Sequence, residues 1–132
     1  MNQYFKVGAI LPSRKFTATN VSLFLYNAAV WNAHRIHYDE NYTISCENHA
    51  GIVIDGPLQG DWLAQIATDW VGNKATLREF EYTNRIVSYL GETLVGGGTV
   101  EDCSDDSVRL SLFLKNSKSE ITTPGSALFQ LH

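Results

Sequence analysis

An α+β fold, with an antiparallel sheet wrapped around one long central helix, is what this chain predicts, and three observations carry the prediction. Leu58, Trp62, Ile66 and Trp70 recur every four residues, joined by Leu63, Ala67 and Val71, which gives a helix a wide apolar face. After Lys74 the texture changes to four strand-like runs, at residues 76–87, 93–103, 108–115 and 120–131. The third alternates, with Val108, Leu110, Leu112 and Leu114 facing one way and Arg109, Ser111, Phe113 and Lys115 the other. A buried helix followed by a strand meander is the layout in which a sheet covers one helix.

Taken in order, a short apolar lead ends at Pro12, and residues 16–21 carry the β-branched and aromatic side chains of a strand. Ser22 is a plausible N-cap for a short helix through Leu23, Phe24, Tyr26, Asn27, Val30 and Trp31. Residues 32–48 show no steady period and are rich in His, Asn, Tyr and charge, so they read as a long connection, the kind of segment that often carries function. A brief apolar run at residues 51–54 stops at Asp55 and Gly56. Pro57 then suits a first helical turn, where its missing N–H is not needed. Gly72 and Asn73 close that helix with a left-handed cap signal, giving about four turns at ~3.6 residues each. Gly91 with Glu92, and residues 104–107, read as turns. Gly96, Gly97 and Gly98 inside a strand read as a bulge or a close backbone approach.

Length and composition narrow the function. At 132 residues the chain reads as one domain, residues 1–132, and 44% hydrophobic content excludes a disordered polymer. A net charge of −4, with ten Lys and Arg scattered singly, argues against nucleic acid as partner, because phosphate backbones want clustered cations. No window approaches the about 20 apolar residues of a membrane span, and the start lacks a secretory apolar core, so a cytoplasmic location is expected. Cys46 and Cys103, far apart and without metal spacing, read as free, partly buried thiols.

The chemistry concentrates in two places. Residues 32–39 hold His34, His37 and Asp39 within eight positions, and the turn at Asp55-Gly56-Pro57-Leu58-Gln59 opens the buried helix. An imidazole titrates near neutrality, at ~6.5 when unperturbed, and so suits proton transfer. The first backbone N–H groups of a helix face outward unpaired, with the positive end of the helix dipole behind them. A loop histidine alone is more often structural than functional. The two features together are what a site needs to polarise a carbonyl while moving a proton beside it.

These residues resemble the MaoC-like (R)-specific hydratases and dehydratases of the hot-dog fold, which act on acyl thioesters. The family motif Asp-x-Asn-Pro-x-His, followed some twenty residues on by a His-Gly-Met or Gly-Pro-Leu turn, is matched with Asn32 in the aspartate position, His34 in that of the asparagine and Arg35 in that of the proline. His37 falls on the family's catalytic histidine, and Gly56 on the glycine whose amide forms the oxyanion hole, with Pro57 and Leu58 beside it in the substrate-binding turn. The wording looks most like the branch containing mesaconyl-CoA hydratase and the type 2 hydroxyacyl-thioester dehydratases. Thr68 to Gly72 is a weaker echo of the small MaoC-like subunit of steroid side-chain hydratases, and Tyr82 to Thr93 follows the family's strand pattern.

The resemblance implies addition of water across a 2-enoyl thioester, or the reverse, in which Gly56 N–H holds the thioester oxygen while His37 takes a proton from water and returns one to C2. It implies no cofactor beyond the CoA or pantetheine arm of the substrate, and a paired hot-dog assembly, homodimer or heteromer. Because Asn32 cannot ionise, either His37 performs all proton transfer while Asn32 aims the water, or Asp39 supplies the missing carboxylate. The first is preferred, since Asp39 stands two residues beyond His37. Arg14, Lys15, Arg35, Lys74, Arg78 and Arg85 are candidates for the phosphates, none singled out. Trp62 and Trp70 read as core. The rival readings are a hot-dog thioesterase using Asp61 and a non-catalytic subunit of a heteromeric hydratase.

Overall fold

The computed structural model describes residues 2–132. Its regular elements are β1 (Arg14–Thr17), α1 (Asn20–Ala29), α2 (Glu40–Ser45), α3 (Gly56–Val71), β2 (Ala75–Tyr82), β3 (Thr93–Cys103), β4 (Ser107–Lys115) and β5 (Ile121–Leu131), with single 3-10 turns at Arg35–His37 and Gly72–Lys74. All five strands form one antiparallel sheet in the order β1-β3-β4-β5-β2. Helix α3 packs against β2, β3, β4 and β5.

The apolar period of α3 sets the core. Trp62, Leu63, Ile66, Ala67 and Val71 are buried, and the alternating face of β4 meets them with Val108, Leu110, Leu112 and Leu114. Trp62 stacks on Phe16 at 5.0 Å between ring centroids, and Trp70 lies 5.1 Å from Phe5, so both tryptophans are packing residues. Gly72 ends the helix at φ 64°, the left-handed conformation glycine adopts without a Cβ clash.

The glycine run of β3 is a close approach. A Cβ on Gly96 would meet the Ile66 side chain from α3, and one on Gly98 would lie 2.5 Å from the Ser111 carbonyl oxygen. The ladder irregularity falls further along, between Val100 and Asp102.

Four boundaries differ from the sequence reading. Thr19, not Ser22, caps α1: Thr19 Oγ1 accepts from Ser22 N–H, and Ser22 Oγ accepts from Thr19 N–H, a reciprocal capping box that places Ser22 inside the first turn. Strand β1 accordingly runs earlier and ends at Thr17. Strand β2 stops at Tyr82, because Thr83 and Arg85 bond Pro124 and Thr122 irregularly instead of extending the ladder. The connection at residues 32–48 contains the 3-10 turn and the six-residue α2. Both cysteines are free, but Cys46, at the end of α2, is exposed instead of partly buried.

Candidate active site

The site forms where the connection after α1 meets the extended segment before α3. Val53 fixes the junction through both of its backbone groups: its N–H donates to the Ile36 carbonyl at 2.9 Å, and its carbonyl faces His37 Nδ1 at 2.7 Å. On the other side, Ile54 N–H donates to Ser88 and Leu90 N–H donates to Ile52, so residues 52–54 are held from both flanks. His37 is 9% exposed and its ring orientation is set by main chain.

A carbonyl only accepts, so the hydrogen of that short contact sits on Nδ1 and Nε2 is the nitrogen left for proton exchange. Nε2 lies 3.3 Å from Oδ2 of Asp55. The Asp55 carboxylate is 1% exposed and is the hub of the site. Its Oδ2 also accepts from Asn32 Nδ2 at 3.2 Å, and its Oδ1 accepts from Asn27 Nδ2 at 3.0 Å. Asn32 is further fixed by its Oδ1, which accepts from His34 N–H at 3.1 Å. An isolated carboxylate this deep is costly, and here two amide donors satisfy its oxygens, with the imidazole beside Oδ2.

Asp55 is the residue before α3, yet its side chain makes no cap bond to that helix. The first intrahelical bond is from Gln59 N–H to the Asp55 carbonyl. Pro57 has no N–H, so the free donors of the first turn are the amides of Gly56 and Leu58, which meet no acceptor among the described residues. Gly56 lines a cavity of about 160 Å³ together with Gln59, Asn84 and Arg85. A Cβ at residue 56 would meet the Asn84 amide, so the approach to this helix end needs glycine. On the other side, Asn27 and Asn32 form the floor of an apolar cleft of about 470 Å³ walled by Leu23, Phe24, Trp31 and Tyr38.

Asp55 Oδ2 brings His37 and Asn32 together, and Gly56 follows Asp55 in the chain; Asn32 lines the apolar cleft and Gly56 the small cavity, while His37 lines neither. Pro57 is exposed and Leu58 is half-buried against the core; neither lines the cavity at Gly56. Asp39 is not the partner of His37. Its Oδ1 accepts from Tyr42 N–H at 3.0 Å and its Oδ2 from Arg35 at 2.8 Å, so it caps α2. Those bonds, the Tyr42 amide first and then the Arg35 guanidinium, hold its carboxyl below the usual range. Asp61 is exposed on α3. Tyr26 on α1 is pushed up to about 12 by burial, and then by Asp61 and Asp55, so its hydroxyl keeps its proton at neutral pH.

Of the candidate cations, Arg14 pairs with Asp69, Arg35 with Asp39, and Arg78 donates to Gln130. Arg85 lines the Gly56 cavity and makes no side-chain ion pair or hydrogen bond among the described residues. Sequence reasoning missed Asp55 and Asn27. The available signal was an acid where the family's turn motif has a histidine, directly before the glycine.

Comparison with known proteins identifies the family. The chain belongs to the hydroxyacyl-thioester dehydratase type 2 family, whose model matches residues 8–90, more than half of its length. It is 42% identical over 43 residues to the mitochondrial hydroxyacyl-thioester dehydratase type 2 of Schizosaccharomyces pombe, and 44% identical over 45 residues to the mesaconyl-C(4)-CoA hydratase of Chloroflexus aurantiacus. Those stretches are 33% and 34% of this chain, and they span only 14% and 16% of the two relatives' lengths. Among solved structures, the ChsH1-ChsH2 complex of Mycobacterium tuberculosis superposes with a TM-score of 0.87 at 16% identity, covering 96% of this chain and 98% of that one. At that identity the likeness shows the fold alone, a hot-dog in which the sheet wraps the central helix.

Proposed function

We propose that the protein is an acyl-thioester hydro-lyase, reversibly hydrating a 2-enoyl-CoA or carrier-bound enoyl group to the 3-hydroxyacyl thioester. The observation that carries this reading is the clasp at Val53. It fixes the His37 ring with Nε2 3.3 Å from Asp55, the residue before α3, whose Gly56 and Leu58 amides have no acceptor among the described residues, and this supports the reading. In the hydration direction the thioester oxygen accepts from Gly56 N–H as water attacks C3. The C2=C3 electron pair moves toward that oxygen, and His37 Nε2 takes the proton released by water. When the enolate collapses, one proton is delivered to C2, so the enzyme ends as it began. Asn32, anchored to Asp55, aims the water with the free lone pair of its amide oxygen. An acid–base group of this kind contributes roughly 10²- to 10⁴-fold, and an oxyanion donor a comparable factor.

The substrate brings its own CoA or pantetheine arm and no further cofactor is needed, so activity should survive dialysis against a chelator. Arg85 beside Gly56 is the cation best placed for that arm. A second hot-dog domain, the same chain or a relative, would cover the apolar surface of α1 and the residues just after it, where Phe24 is 69% and Trp31 93% exposed. The relatives' names describe a hydroxyacyl-thioester dehydratase and a mesaconyl-C(4)-CoA hydratase. Dehydration and hydration are directions of one reaction. No helix among the described residues is long and apolar enough to cross a membrane. A cytoplasmic site of action suits the two unpaired cysteines.

The test is a panel of enoyl thioesters offered to the purified protein. Loss of enone absorbance without release of free thiol supports the hydro-lyase. Thiol release instead supports a thioesterase, and activity that appears only on mixing with another hot-dog chain supports the non-catalytic-subunit reading.

A further inference from the structure

We propose that Asp55 is the positioning residue of this reaction: a buried carboxylate that acts through His37 and replaces the ionisable group which Asn32 lacks. The assignment rests on the hydro-lyase reading and adds the residue that makes its proton transfer feasible.

The argument is one of partners. With Nδ1 committed to the Val53 carbonyl, the only ring nitrogen that can take a proton from water is Nε2. The imidazolium so formed is 9% exposed, where water cannot solvate its charge. Among the described residues, the one carboxylate within ion-pair distance of that nitrogen is Asp55, with Oδ2 at 3.3 Å. The same carboxylate has not been used to cap its own helix, although it occupies the residue from which caps act. It is turned instead toward Asn27 and Asn32, whose amides fix both of its oxygens, and toward His37. When His37 takes the water proton, the new positive charge faces Oδ2. When that proton passes to C2, the charge is gone, and Asp55 has neither gained nor lost a proton.

Asn32 Nδ2 lies 3.2 Å from the same Oδ2, so residues 32 and 55 meet at one point and a carboxylate could be supplied from either side. That gives the experiment. Three variants, Asp55→Asn, Asn32→Asp and the Asn32→Asp/Asp55→Asn double, are assayed on the enoyl-CoA that the wild type hydrates best, with folding followed by circular dichroism. For Asp55→Asn we expect kcat to fall at least about 100-fold while KM stays within about threefold, because the carboxylate meets the charged ring and not the thioester. The double variant should recover at least about tenfold of the loss, which a merely structural role would not explain.

Near-wild-type kcat in Asp55→Asn overturns the assignment and leaves the hydro-lyase reading standing. A wild type that hydrates no thioester of the panel overturns the reading and the assignment with it. If Asp55→Asn does not fold, the double variant decides: folded and active supports the assignment, folded and inactive overturns it. If neither folds, Asp55 is structural and the assignment falls.

Discussion

Two helices of this molecule begin at an aspartate, and the two aspartates do opposite things. Asp39 serves the helix it precedes: it accepts the Tyr42 amide, pairs with Arg35 and sits in solvent reach. Asp55 precedes the long buried helix, leaves that helix's amides open and spends its oxygens on Asn27, Asn32 and His37. A cap that satisfies its own helix is architecture. A buried acid that declines to cap, and leaves the first amides of its helix open, is what the proposed site is built on.

The sharpest way to break that contrast is at the imidazole which only Asp55 reaches. His37→Ala should lower kcat by about 10²- to 10⁴-fold with the fold retained, measured as the rate of enone loss; unchanged turnover would remove the site altogether. Next comes the open end of α3. A methyl group at Gly56 would displace the exposed Asn84 side chain into the small cavity, so Gly56→Ala should fold normally and lose about 10- to 100-fold in kcat/KM. By contrast, Gly96→Ala, set against Ile66 and Leu114 in the core, should cost about 1–3 kcal/mol of stability in a denaturant titration and leave the kinetics of the folded fraction alone. Asp39→Asn is the smallest: an amide still accepts from Tyr42, so kcat should stay within about twofold of wild type.

The Asp39 cap is open to a test by pH. The folded Asp39 carboxyl lies below its ordinary value, held by the Tyr42 amide and then by Arg35. Its contribution is therefore present above the unfolded carboxylate range, about pH 4, and is lost as pH falls through the lower folded value. Amide hydrogens of α2 should begin to exchange faster in that acid window while those of α3 remain protected. Asp39→Asn should flatten the change.

The parts of the fold written by repetition were legible. Leu58 to Trp70 marks α3, and the alternation of Val108 to Leu114 marks a strand with one buried face, because each pattern repeats often enough for burial to dominate. Short elements were not. Six residues of α2, Glu40–Ser45, bury only Thr43 and so have no apolar stripe to read, and the α1 start turned on a reciprocal pair of hydroxyl bonds at Thr19 and Ser22. At the site, His37 and Gly56 stood out by type and by their resemblance to a known motif. Asp55 did not, since an aspartate before a helix reads as a cap, and its real partners, Asn27, Asn32 and His37, reach it from 18 to 28 residues earlier in the chain.

The latch on the histidine ring is made of main chain, and this governs how the enzyme can change. Side chains at residue 53 can be exchanged to reshape the wall of the pocket without touching the carbonyl that aims the imidazole. Only proline there would unfasten the 3-10 turn that carries His37, by deleting the N–H held by Ile36. On the proposed reading, the pocket wall can be altered at residue 53 while the aim of the imidazole stays constant.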